Sequence, residues 1–118
     1  MPRAKKKNDR IRQVYRWLVD FCPTPYPTRL SLWRGTDRLG DQGYVEHEDR
    51  QLTIHIDTRS PMYACLDTLI HEMAHAVAWK HQSVEKYYAT HSDEWGIAYA
   101  KIYRKYFEED GKTESYEY

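Results

Sequence analysis

His71-Glu72-Met73-Ala74-His75 is the segment whose residue types and spacing speak most directly of chemistry. In a helix, two histidines four residues apart sit about 40° apart around the axis and about 6 Å apart along it. Both imidazoles can then reach one metal ion from the same face. The glutamate between them falls beside that face, where its carboxylate can hold a water and take its proton. Two ligands and a general base in this order form the pattern of a zinc peptidase. The surroundings suit a helix, since residues 68–70 and 76–79 carry no charge and both Met73 and Ala74 are good helix formers.

A catalytic zinc takes three protein ligands and keeps one position open for water. His71 and His75 supply two, and the third must come from elsewhere. His81 follows His75 by six residues, the spacing of HExxHxxGxxH peptidases. The glycine that lets the chain turn away in that pattern is replaced here by Ala78, and no methionine follows Met73 to build a Met-turn. A helix that simply continues points His81 away from the pair. His91 fits better, because it shares a helical stripe with Trp95, Ala98 and Ile102, and packing that stripe on the motif helix carries it to the metal. Glu94 and, more weakly, Glu85 compete for the same role.

These residues must be held by larger elements. Apolar spacing predicts a first helix from Asp9 to Phe21, built on Ile11, Val14, Tyr15, Leu18 and Phe21. Three prolines within residues 22–27 end it. Short strands follow at residues 29–34 and 43–46, with a charged turn over residues 46–50. Residues 51–57 make the clearest strand, as Leu52, Ile54 and Ile56 alternate with Thr53, His55 and Asp57. Ser60 as cap and Pro61 at the first helical position start the motif helix, expected over residues 61–80. A last helix should start at Thr90 or Ser92 and end near Phe107. The order is helix, three strands, helix, helix, which is an α+β fold with helices on one face of a small sheet.

Residues 68–95 resemble the SprT-like, or Spartan-type, zinc metallopeptidases. The helix Leu-Ile-His-Glu-Met-Ala-His-Ala of that family stands here at residues 69–76. Its later His-Gly-Pro-Glu-Phe segment has a counterpart in His91-Ser92-Asp93-Glu94-Trp95, where Ser92 and Asp93 replace Gly-Pro. The resemblance implies a zincin-like, gluzincin-type core with the HExxH motif on its central helix. It also implies that His71, His75 and His91 bind zinc and that Glu72 is the catalytic base. Relatives that carry a four-cysteine zinc ribbon are not matched, because Cys22 and Cys65 are the only cysteines.

Composition narrows the setting. The 118 residues suit one domain, and the formal net charge is zero, so no global field draws the whole chain to nucleic acid. Charge is nevertheless uneven. Residues 1–16 hold seven Lys or Arg against one Asp, and residues 107–118 hold five acids against one Lys. The expected organisation is a basic mobile arm at residues 1–8, a peptidase domain at residues 9–107 and an acidic mobile tail at residues 108–118. The arm can make weak contact with DNA phosphates. Two distant cysteines, with no apolar leader and no membrane-length apolar run, point to a cytoplasmic protein.

The expected activity is hydrolysis of peptide bonds in a protein or peptide substrate, with DNA-associated proteins as one class. The alternative is a non-catalytic zinc-containing domain that binds nucleic acid or protein. Asp67, one turn before His71, is either a solvated carboxylate or a group that orients His71. His55 is expected at the surface, and His47 carries no special signal. One of Tyr87, Tyr88 and Tyr99 is expected to support the oxyanion.

Overall fold

Leu52, Ile54 and Ile56 are fully buried, as their alternation predicts, and they form the centre of the fold. The computed structural model describes residues 3–35, 42–79 and 93–110. Strand β3 (Gln51–Asp57) lies between β1 (Thr28–Trp33), which runs parallel to it, and β2 (Gly43–Glu48), which runs antiparallel. Burying each of the three aliphatic side chains contributes roughly 2 kcal/mol. Among the described residues β2 is an edge strand.

The hairpin between β2 and β3 is tighter than the sequence suggests. Its turn is only Asp49-Arg50, both with positive φ (51° and 63°). Two left-handed residues give the turn a twist that matches the flanking strands, so β2 extends to Glu48 and pairs it with Gln51. The charges of residues 46–48 therefore sit on a strand rather than in a loop.

Helix α1 (Arg3–Phe21) begins six residues before the expected Asp9. The reason is a tertiary anchor. Lys7 Nζ donates to the carbonyls of Thr58 (2.9 Å) and Ser60 (2.8 Å), which holds the basic first turns against the loop before the next helix. Ile11, Val14 and Leu18 are fully buried on the opposite end of its apolar stripe.

Helix α2 (Met62–Val77) carries the motif. Pro61 is its N-cap residue, and no side chain caps it; the Pro61 carbonyl accepts from Ala64 and Cys65. Ser60, expected as the cap, instead offers its carbonyl to Lys7 and to the Cys65 thiol. The helix stops at Val77, with Ala78 as C-cap, three residues short of the expected end. Leu69, Ile70, Met73 and Ala74 bury its sheet-facing side. Helix α3 (Asp93–Lys105) packs on α2 through Ala98 and Ile102, and a π-helical turn (Tyr106–Asp110) follows. Among the described residues the result is an α+β fold of three α-helices and a three-stranded sheet. Among the described residues no helix is long and apolar enough to cross a membrane.

Candidate functional site

Helical geometry orders the polar residues of α2 around its axis as Asp67, His71, His75, Thr68 and Glu72, spanning about 140° at 100° per residue. The structure uses both edges of this arc. α3 covers the Asp67–His71–His75 side, and β2 approaches the Thr68–Glu72 side. The His71 and His75 rings are 5.0 Å apart between centroids, at an interplanar angle of 66°. Burial is graded along them, with the His71 side chain 32% exposed and His75 only 4% exposed. Glu72 Oε2 lies 3.9 Å from His71 Nε2.

Two aromatic residues of α3 press on this pair. Trp95 stacks on His75 at 5.3 Å and 28°, and meets His71 edge-on at 5.0 Å. Its indole N–H also donates to the His71 carbonyl at 3.3 Å. Tyr99, one turn on, packs its ring 5.8 Å from that of His71. Its hydroxyl donates to Asp67 Oδ1 at 3.1 Å. Burial, then the neighbouring Asp67 charge and hydrogen bond, push the Tyr99 phenol up to about 12, so it stays a donor across the physiological range. Asp67 thus accepts a hydrogen bond from a neutral phenol.

A cavity of about 230 Å³ lies beside the pair, walled by Gln42, Gly43, Asp67, Thr68, His71 and Glu72. Gly43 allows the close approach of β2 to α2. A Cβ there would stand 2.6 Å from the Thr68 methyl and 2.7 Å from the His55 carbonyl. The cavity opens between an edge strand and the motif helix.

His55 departs from its expected place. It is buried, not at the surface. The Trp33 indole N–H donates to Nδ1 at 3.1 Å, and since that group can only donate, the proton of a neutral His55 sits on Nε2 and is shared with Glu46 at 3.0 Å. Tyr44 stacks on the ring at 4.4 Å. Alternation places this cluster on the sheet face away from Ile54 and Ile56, so His55 braces the two outer strands and takes no part in the cavity. His47 packs its ring between Tyr26 (4.9 Å) and Trp79 (5.7 Å).

His81, Glu85, Tyr87, Tyr88 and His91 lie outside the described residues, and Glu94 is exposed in the first turn of α3. Among the described residues no three His, Cys, Asp or Glu side chains gather into a metal-holding group. Gln42, Gly43 and Thr68 were not singled out by sequence. Gly43 carried a strand-start signal, but nothing local shows that the strand docks beside Thr68. No known family model, no curated protein and no solved structure matches this chain.

Proposed function

We propose that this chain is a zinc metallopeptidase with a zincin-like core, akin to the SprT-like enzymes, in which His71, His75 and His91 hold the ion and Glu72 is the general base. The observation that carries this reading is the juxtaposition of the His71 and His75 rings, 5.0 Å apart, with Glu72 in a cavity bounded by an edge strand. Two imidazoles and a carboxylate on one arc of a helix are donor types that suit zinc.

The register of α3 supports His91 as third ligand. Trp95 lies against His75 and His71, and Tyr99 against His71 and Asp67, so the two helices pass in antiparallel register. In sequence His91 precedes Trp95 by four residues, the spacing of one helical stripe. The HExxH pair then needs no sharp turn after Ala78, which continues the backbone bonding of α2 by donating to Ala74.

Zinc held by His71, His75 and His91 would supply Lewis acidity toward a water and a peptide carbonyl. Glu72 takes the proton of that water as its oxygen bonds to the carbonyl carbon. The same carboxylic acid returns the proton to the amide nitrogen as the C–N bond breaks, leaving a free carboxylate and a free amine. An extended substrate can pair its main chain with β2, which makes recognition weakly dependent on side chains. DNA-associated proteins are one substrate class in this proposal. Any weak DNA contact by the basic N-terminal residues rests on cations other than Lys7, whose ammonium is bonded to Thr58 and Ser60.

The test measures zinc content and cleavage of an unfolded protein such as casein, with and without a chelator. Glu72→Gln should keep its zinc and lose cleavage by roughly 10²–10⁴-fold. Zinc affinity should fall far more in His91→Ala than in His81→Ala or Glu94→Ala. Undiminished cleavage by Glu72→Gln removes the general-base assignment. Tight zinc without any cleavage by the parent protein favours the non-catalytic binding domain.

A further inference from the structure

Tyr99 donates a hydrogen bond to Asp67, a residue of the cavity wall that lies across the arc of α2 from Glu72. Around α2, Asp67 and Glu72 are five residues apart, which sets them about 140° from one another with the two histidines between. The Tyr99 hydroxyl is tied to Asp67 at 3.1 Å, and its ring leans on His71 at 5.8 Å. Asp67, His71 and Glu72 all line the one cavity. A peptide carbonyl seated there over the histidine pair would meet a proton acceptor on one flank and a phenol on the other.

Stability does not account for this arrangement. The Tyr99–Asp67 bond is exposed to solvent, and an exposed pair of this kind adds little to folding. Exposure matters for a different reason, because a substrate atom can compete for the phenol proton. The ring is fixed independently of the hydroxyl, by Trp95 at 5.2 Å and by Tyr103, stacked at 5.6 Å and 13°. The hydroxyl can therefore change partner while the ring stays in place.

From this geometry we infer that Tyr99 is a further catalytic residue of the peptidase reading, on which this inference rests: its hydroxyl exchanges Asp67 for the tetrahedral oxyanion formed when water adds to the peptide carbonyl. The step is a change of hydrogen-bond partner only. No covalent bond is made or broken at Tyr99, and its proton stays on the phenol oxygen. Asp67 is the resting acceptor, a positioning residue that holds the phenol beside the cavity wall. Of Tyr87, Tyr88 and Tyr99, Tyr99 is the one whose surroundings are described, and they match the role.

The test compares the parent protein, Tyr99→Phe and Asp67→Ala, each loaded with zinc. Two probes are titrated by calorimetry: a blocked phosphinic dipeptide, which mimics the tetrahedral centre, and acetohydroxamate, which chelates zinc without that shape. Tyr99→Phe keeps the ring, so zinc content, melting temperature and acetohydroxamate affinity should match the parent. Phosphinic peptide affinity should fall about 10²-fold, and kcat should fall about 10²–10³-fold with KM little changed, as for loss of one oxyanion donor. Asp67→Ala leaves the phenol present and should lose less than about tenfold in both. Equal phosphinic peptide affinity in Tyr99→Phe and parent overturns the inference, and so does a loss in Asp67→Ala as large as that in Tyr99→Phe. Failure of the parent itself to bind zinc and phosphinic peptide overturns the peptidase reading and this inference together.

Discussion

Replacing Gly43 with alanine tests the docking of the edge strand on the motif helix. The added methyl would stand 2.6 Å from Thr68 Cγ2 and 2.7 Å from the His55 carbonyl oxygen. The first neighbour is a side-chain methyl and can give way by rotation, at the expense of the contact from Thr68 Oγ1 to Gln42. The second is main chain in the central strand, held on both sides by the ladders to β1 and β2. It can yield only if β2 shifts. Overpacking of this kind costs about 1–3 kcal/mol. For a domain of this size each kcal/mol lowers the melting point by about 4–8 °C. Thermal unfolding followed by circular dichroism should therefore show Gly43→Ala melting roughly 5–20 °C below the parent. Adding Thr68→Ala relieves the side-chain contact alone, so the double variant should recover less than half of that loss. A Gly43→Ala melting point within about 2 °C of the parent, or full recovery by Thr68→Ala, refutes the close approach and with it the described shape of the cavity.

Two further outcomes test the supports of the site. The Asp57 carboxylate is held well below the usual carboxylate range, chiefly by the Arg59 side chain and also by the amides of Arg59 and Gly35. A depressed carboxylate stabilises the fold above its unfolded pKa of about 4 and loses that contribution as pH falls toward the folded value. With Arg59 well exposed, solvent screening keeps the effect small. Melting points of Asp57→Asn should thus drop less steeply than those of the parent below about pH 4, and parallel curves would refute the assignment. Trp95→Ala removes the indole that contacts both imidazoles and should cost about 2 kcal/mol of stability and weaken zinc binding. Trp95→Phe should lose less than half as much in both, and zinc titration of the two variants checks the order.

The elements that the sequence made legible are those whose signals are local. Leu52, Ile54 and Ile56 alternate because one face of β3 is buried, and that pattern needs no partner to be read. Ile11, Val14 and Leu18 fall on one stripe of α1 for the same kind of reason. The discrepancies have distant causes. α1 starts at Arg3 because Lys7 finds two carbonyls more than fifty residues away. Ser60 gives up the expected capping role because its carbonyl meets that same lysine. His55 sits at a polar position of its strand, yet Trp33, Tyr44 and Glu46 close over it from both neighbouring strands. Alternation indicates which face a residue takes, and it does not indicate how thickly that face is covered.

The same division runs through the candidate site. The spacing of His71 and His75 fixes their direction from α2 wherever that helix is placed, so the pair was readable from five residues. Its accessibility is not a property of α2. β2 comes close only because Gly43 has no side chain, and α3 shields His75 more than His71 because Trp95 stacks on the former. His75, stacked on Trp95, is almost fully buried, whereas the His71 side chain is 32% exposed and lines the cavity. The opening lies between α2 and β2, over the wall formed by Asp67, His71 and Glu72. Motif geometry thus supplies the chemical groups, while two non-local contacts shape the space around them. A substitution at Gly43 or Trp95 should therefore alter activity without touching any residue proposed to hold the metal or move a proton.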